Sequence, residues 1–493
     1  MKKYYFLIVA ITLLLSYLMQ SHLFLNWDVI TMLRFSKATL AGGDYVSSYY
    51  NINTPAIFYL YFPVILISNY FHLSLVLCIR LFTYCVGIIS WFSSAYLLKN
   101  ILKTRLQKIF IFSAIGIGFF LLPAHEFGQR EHLMMMFALP YVVAVALRAS
   151  QHQLVITTAF LIGLFSGLGL IIKPFFLILP IVLETYLLFS RKKISLLLRP
   201  EILGILFIHC IYLITLCLVN QNYLTKMLPI LLQYDIKNAA LPYIFLLNTE
   251  CSLLMIFTFL SFAVFRFIMK KKDFLTTSFF LASVACFLEF MVAKRYWYYH
   301  ELSALFFMLL TVVSIFCMTI KNFKKNIGLI FITIFSTSAI LLTGWSYFYY
   351  ISRLYNNLHA PHHRLAKIIK KYAENKTVLI MSETPSFYET VSFYGHAILS
   401  NANSFPSMVI PAISKNTAPE EDKKRVVDAI VTSLQKEKPA LVIIDQNPNG
   451  QYFERPFEYL KFYAKYKAFR LAWAHYRFLK RIDNFDIYII RPH

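Results

Sequence analysis

The chain has 493 residues, 58% of them hydrophobic, 17% aromatic and only 15% charged. Soluble domains carry about a quarter of their residues as charges, so a soluble enzyme is excluded, and the apolar residues come in blocks of roughly 20, the length of a bilayer-crossing helix. The formal net charge of +24 sits in short clusters between those blocks, as cytoplasmic loops of membrane proteins do, which argues against a nucleic-acid partner.

The chain opens with MKKYYFLIVAITLLLSYLMQSHLFL. This run ends in HLFLNWD, without the small residues of a cleavage site, and so predicts a retained first helix. Lys2 and Lys3 place its start in the cytoplasm. The apolar stretch 56–68 is short for a span and contains Pro63. Counted as a span it would put every basic loop outside; positive-inside therefore makes it juxtamembrane or re-entrant. The loops assigned to the cytoplasm are 99–108, 148–153, 191–199, 266–272 and 321–325.

Spans are predicted at 74–98, 108–123, 133–148, 154–172, 175–190, 200–219, 243–266, 275–293, 301–320 and 327–350. With the first helix this makes about eleven, an odd number, so the tail beyond Tyr350 lies on the side opposite Lys2. In that tail, residues 374–383, 438–448 and 484–492 are short β-branched runs, and 420–438 has helical spacing with a charged face. The expected fold is an α-helical polytopic membrane protein with a C-terminal soluble α/β domain. Its two parts are residues 1–350, with an outer first loop at 26–73, and residues 351–493, extracytoplasmic. The seven cysteines all fall in or beside apolar blocks, with no CxxC pair. They read as small core residues.

This topology gathers the unusual residues on the outer side. Asp28 and Asp44 are the only acids in 26–63. HEFGQREHL (125–133) contains His125, Glu126, Arg130, Glu131 and His132 between two apolar blocks. Lys173-Pro174 joins two spans, 220–242 forms another loop, and Lys294, Arg295 and His300 stand amid Tyr296, Trp297, Tyr298 and Tyr299. Ionisable groups at membrane depth are costly, and point to function.

An Asp just after the first span, then GGDY…NINTPAIFYLYFP, then Arg80-Leu81 entering the second span, resembles the GT-C superfamily of integral membrane glycosyltransferases. The similarity is to the protein mannosyltransferase and aminoarabinose transferase branch. GQREHLMMMFALPY, IIKPFFLILP and KRYWYYHELSAL also resemble segments of bacterial proteins in that branch. The resemblance covers roughly residues 1–350. It implies a multi-pass protein of the bacterial inner membrane, with a periplasmic C-terminal domain, that moves a sugar from a polyprenyl-phosphate donor to an acceptor hydroxyl on a protein, lipid or glycan. Such a reaction needs a carboxylate to deprotonate the acceptor and cations for the departing lipid phosphate.

Asp28 matches the position of the family's catalytic Asp. The other reading is an acid near the N-terminus of a short interfacial helix. Relatives carry a second acid directly after the first; here Val29 follows, which leaves a divalent cation optional and Asp44 as the partner acid, or else a turn residue after Gly42-Gly43. No Cys/His cage or acidic ladder demands a metal. Arg130 suits bidentate phosphate binding, Glu131 would orient Arg130 or meet the acceptor, and His132 would donate to the phosphate. The plainer reading of this segment is a turn with a local salt bridge. Lys173 either binds lipid phosphate or snorkels to the headgroups. Lys294, Arg295 and His300 form a phosphate clamp with Trp297 and Tyr298 stacking on sugar or lipid, or an interfacial aromatic belt. Glu289, inside the preceding span, requires a buried partner. HAPHHR (359–364) reads as a solvated linker.

Two other functions fit a multi-span chain. An O-antigen-type polymerase or ligase keeps its chemistry in a large loop between late spans; here the acid-bearing loop follows the first. A lipid-linked glycan transporter or flippase shows repeated halves with broken helices; no internal repeat is visible, and the chain has only 14 glycines.

Overall fold

The computed structural model describes residues 2–45, 53–99, 101–236, 241–295, 297–319, 344, 361–450, 453 and 455–491. Its main helices are α1 (Lys2–Ser21), α2 (Trp27–Leu40), α3 (Ala56–Leu60), α4 (Phe62–Phe71), α5 (Leu75–Leu98), α6 (Arg105–Phe120), α7 (Arg130–Ala149), α8 (Ile156–Leu170), α9 (Ile178–Arg191), α10 (Pro200–Leu218), α11 (Glu250–Ala263), α12 (Phe274–Ala293), α13 (Tyr298–Thr319), α14 (Pro361–Ala373), α15 (Ser404–Ser414) and α16 (Glu420–Thr432). Five strands follow the same order: β1 (Thr377–Met381), β2 (Ile398–Leu399), β3 (Leu441–Asp445), β4 (Tyr476–Ile482) and β5 (Phe485–Ile490).

Among the described residues, eight helices are long and apolar enough to cross a membrane: Tyr4–Ser21, Leu75–Leu98, Arg130–Ala149, Pro174–Arg191, Pro200–Leu218, Glu250–Ile268, Phe274–Ala293 and Tyr298–Thr319. Ala56–Phe71 and Ile156–Leu170 are shorter apolar helices. The chain is a polytopic helical membrane protein with a small C-terminal sheet. The span expected at 327–350 lies outside the described residues, as does Tyr296.

The chain forms two compact units. One holds Met1–Phe24, Thr54–Leu218 and Ala240–Ile351; the other holds Leu25–Asn53, Val219–Ala239 and Ser352–His493.

In the first unit α7 is the most enclosed helix: every residue but Arg148 is buried. It packs against α5, α8, α9, α12 and α13. A helix apolar on all sides is a core element, and α7 keeps Pro140 in its interior, which enclosed membrane helices tolerate. Its last turn is fixed by ion pairs. Arg148 Nε lies 2.9 Å from Glu201 Oε1. Nearby, Arg199 donates to Glu184 Oε1 at 2.5 Å and the Tyr141 hydroxyl donates to the same oxygen at 2.5 Å. Two cations of the basic loops thus have buried acidic partners besides their role in topology.

α8 and α10 cross closely at glycines. A Cβ on Gly163 would stand 2.1 Å from the Glu201 carbonyl oxygen, and one on Gly204 would stand 2.6 Å from that of Phe160. Small residues let membrane helices approach backbone to backbone.

In the second unit the sheet order is β2-β1-β3-β5-β4. β1 pairs parallel with β2 and β3, while β5 pairs antiparallel with β3 and β4. One face is covered by α15 and α16 with Val409, Val426, Ile430 and Tyr463, the other by α14 with Leu365 and Ile369. The three β-branched runs are β1, β3 and β5. β4 carries Arg477, Lys480 and Arg481 in an exposed edge strand, where charge deters strand addition. The helix α2 belongs to this unit. Arg34 grips Glu389 with two bonds, 2.6 and 3.2 Å, and the Tyr394 hydroxyl accepts from the Leu25 N–H at 2.9 Å.

Gly163→Ala and Gly204→Ala should each destabilise the first unit by about 1–3 kcal/mol, because backbone cannot yield as a side chain can. Thermal unfolding of the detergent-solubilised variants tests this; unchanged midpoints would mean the helices can part without loss.

Candidate active site

Residues 121–130 form a tight turn between α6 and α7. It contains a short 3-10 helix at Ala124–Glu126 and Gly128 at φ +86°, a conformation that glycine adopts without strain. The Tyr61 hydroxyl donates to the Gly128 carbonyl at 2.7 Å, and Gln129 caps α7. His132 closes the turn. Its Nδ1 accepts from the Gly128 N–H at 3.0 Å and its Nε2 donates to the Phe119 carbonyl at 2.7 Å. This corrects the expectation that His132 donates to a phosphate: the ring is fully buried and both nitrogens are spent holding the turn. Arg130, Glu131 and His132 are the first turn of a helix, not loop residues.

Glu131 is the hub. It is 1% exposed, and its Oε1 lies 2.5 Å from Lys173 Nζ and 2.9 Å from His300 Nδ1. The expectation that Glu131 orients Arg130 is corrected in favour of these two partners, since adjacent helical residues do not face each other. Arg130 is buried beside them and its charge acts on Glu131. A carboxylate in the first turn also faces the positive end of α7.

Lys173 follows α8 and precedes the 3-10 turn Pro174–Leu177. It is 7% exposed, so it does not snorkel to the headgroups. Its ammonium stands 5.4 Å from the Phe175 ring and 5.6 Å from that of Tyr299, close enough for cation–π attraction. Thr54 donates to the Ile172 carbonyl at 2.6 Å, which ties the TPAIF segment to this turn.

The third element is the start of α13. Trp297 stacks over His300 with ring centroids 6.1 Å apart and planes 15° from parallel, and Tyr299 lies 4.3 Å from the same ring. Arg295 covers Trp297 at 5.1 Å, and Lys294, at φ +51°, reaches the Tyr243 ring at 4.8 Å. The Tyr298 hydroxyl donates to the Leu122 carbonyl at 2.9 Å and so anchors α13 to the turn before α7. Glu289 is buried beside the Cys286 thiol and the Leu179 backbone, within electrostatic range of Glu131 and Lys173.

HEFGQREHL, IIKPFF and WYYHE therefore converge on one carboxylate. The sequence marked each segment; nothing in it signalled the Glu131–Lys173–His300 pairing except that a scarce acid at membrane depth must find partners.

Asp28 and Asp44 belong to the second unit. Asp28 is buried in the first turn of α2, where the Asn26 side chain accepts from its N–H at 2.8 Å. The short helix anticipated after the first span is real, with Asn26 rather than Asp28 as its cap. Asp44 Oδ2 meets Asn222 Nδ2 at 3.5 Å, joining the segment after α2 to that around 220. Beside it Tyr45 packs on Tyr223, and burial pushes the Tyr223 phenol up to about 12. Among the described residues no group of three His, Cys, Asp or Glu side chains is placed to hold a metal ion.

This architecture has a counterpart among solved membrane-protein structures. The crystal structure of ArnT from Cupriavidus metallidurans in the apo state shares it, with a TM-score of 0.57 at 13% identity over 98% of this chain and 97% of that one. No protein-family model matches the chain, and no curated protein does. At this identity the likeness is one of fold.

Lys173→Met leaves Glu131 buried without its directly paired cation, and should cost about 3–5 kcal/mol. Adding Glu131→Gln to that variant should restore most of the loss. A double-mutant cycle on thermal or denaturant unfolding measures this; strictly additive effects would show that the two groups do not support each other.

Proposed function

We propose that the protein transfers a sugar from a polyprenyl-phosphate carrier to an acceptor hydroxyl at the outer face of a bacterial inner membrane. The observation that carries this reading is the cluster at the start of α7, where Arg130 and Lys173 gather on Glu131 inside a fold shared with ArnT. Two cations around one carboxylate leave a net positive site, suited to a lipid phosphate.

In the proposed reaction the acceptor oxygen attacks the anomeric carbon and the bond from that carbon to the phosphate oxygen breaks. The acceptor's proton passes to Asp28 as general base, with Asp44 as the second acid of the same segment. Polyprenyl phosphate leaves, and Arg130, Lys173, Lys294 and Arg295 receive its charge, which is the step such donors accelerate. Glu131 holds Lys173 in place before the donor arrives. Trp297 and the ring of Tyr298 offer flat surfaces for sugar or lipid. The acceptor is a protein, lipid or glycan. The C-terminal unit lies in the periplasm, and the N-terminus lies in the cytoplasm. A polymerase or ligase of O-antigen type and a lipid-linked glycan flippase are the alternatives, and no observation favours either.

Asp28→Asn should abolish transfer from a polyprenyl-phosphate sugar while leaving the fold and donor binding near wild type. An active Asp28→Asn enzyme would remove Asp28 as the base. Arg130→Ala should raise the KM for the donor by about tenfold or more, the worth of a charge-assisted bond; unchanged kinetics would return the turn to a purely structural role. A reporter fused after Tyr350 should be active outside the cytoplasm.

A further inference from the structure

His300 is arranged differently from the cations around it. Its Nδ1 faces Glu131 Oε1 at 2.9 Å. Its Nε2 is buried and has no hydrogen-bond partner among the described residues, while the ring as a whole is 7% exposed. A buried polar atom without a partner costs free energy, and such atoms are commonly reserved for a ligand or a water.

The tautomer follows from the partners. Glu131 Oε1 already receives the Lys173 ammonium at 2.5 Å, and Arg130 adds a second positive charge nearby. An imidazolium on the same oxygen would be repelled by both and would be a third cation in a dry site. The neutral ring places its one proton on Nδ1, toward the carboxylate, as carboxylate–histidine pairs do. Nε2 is then a lone-pair acceptor. An acceptor repels a phosphate oxygen, which offers no proton, but receives a hydroxyl hydrogen. Trp297, stacked over one face of the ring, and Tyr299 beside it fix the direction of that lone pair and supply the aromatic surface that sugar rings pack on.

We propose that His300 Nε2 accepts a hydrogen bond from a hydroxyl of the transferred sugar, with Glu131 as the positioning residue that sets the ring's tautomer. The site thereby divides labour: Arg130 and Lys173 take the phosphate, and His300 takes the sugar. This rests on the transferase reading.

The test is lipid binding, separate from turnover. Full-length protein in detergent is titrated with undecaprenyl phosphate and with undecaprenyl-phosphate hexose or pentose. Wild type should bind a sugar-bearing lipid more tightly than the bare phosphate. His300→Ala should weaken the sugar-bearing lipid about tenfold, the loss of one buried acceptor, with bare undecaprenyl phosphate unchanged. His300→Gln, whose amide oxygen can stand near the place of Nε2, should recover part of the preference and guards against a folding defect in the alanine variant. Equal weakening of both lipids would make His300 a phosphate ligand and overturn the proposal. Unchanged binding of both would overturn it also. If wild type binds neither lipid, the transferase reading itself fails, and this inference falls with it.

Discussion

A carboxylate cannot stay charged inside an apolar bundle unless cations and hydrogen-bond donors surround it. Glu131 obeys this constraint with Lys173 and His300, and much of the first unit follows from it. Lys173 must come from the end of α8, so the chain turns at Pro174 with its ammonium directed inward. His300 must come from the start of α13, so the Tyr298 hydroxyl ties that helix to the Leu122 carbonyl. His132 gives up both ring nitrogens to hold the turn that presents Glu131. Three segments far apart in sequence are brought to one oxygen atom.

α7 carries such an arrangement at both ends. At its start, Glu131 gathers cations; at its close, Arg148 pairs with Glu201, and Glu184 binds Arg199 and Tyr141 nearby. Between them the helix is apolar on every side. The two ends share a chemical feature as well: an arginine and a tyrosine hydroxyl share one Glu184 oxygen while Glu184 Oε2 and Arg199 Nε are left without hydrogen-bond partners among the described residues, as Glu131 Oε2 and His300 Nε2 are at the start.

Much of the fold was legible because membrane helices declare themselves by length and apolarity. All eight described spans coincide with long apolar runs, and β1, β3 and β5 with short β-branched ones. β4 was not legible, because an edge strand bearing Arg477, Lys480 and Arg481 lacks the apolar run that marks buried strands. Nor was the membership of α2 in the second unit, which rests on the long-range pair of Arg34 and Glu389. At the site, sequence spacing named the residues but misjudged neighbours: Glu131 was matched with Arg130 beside it, and His132 with a ligand. Local adjacency favours such readings, whereas helical geometry turns consecutive side chains apart and sends each to a partner on another element.

The pairing of Lys173 with Glu131 bears on how an anion would be received. A lone ammonium in a dry site would be costly to maintain and would attract any passing anion. Held by Glu131, it is neutralised in the resting protein, and Arg130 keeps the cluster positive by one charge. A phosphate drawn by that charge would then compete with Glu131 for Lys173. Whatever attraction Glu131 relinquished would return as phosphate affinity only in part, so the site would bind its anion less tightly than two bare cations would. Weaker ground-state binding suits a group whose negative charge must grow during the reaction, because interactions that strengthen as charge develops lower the barrier while those already complete do not.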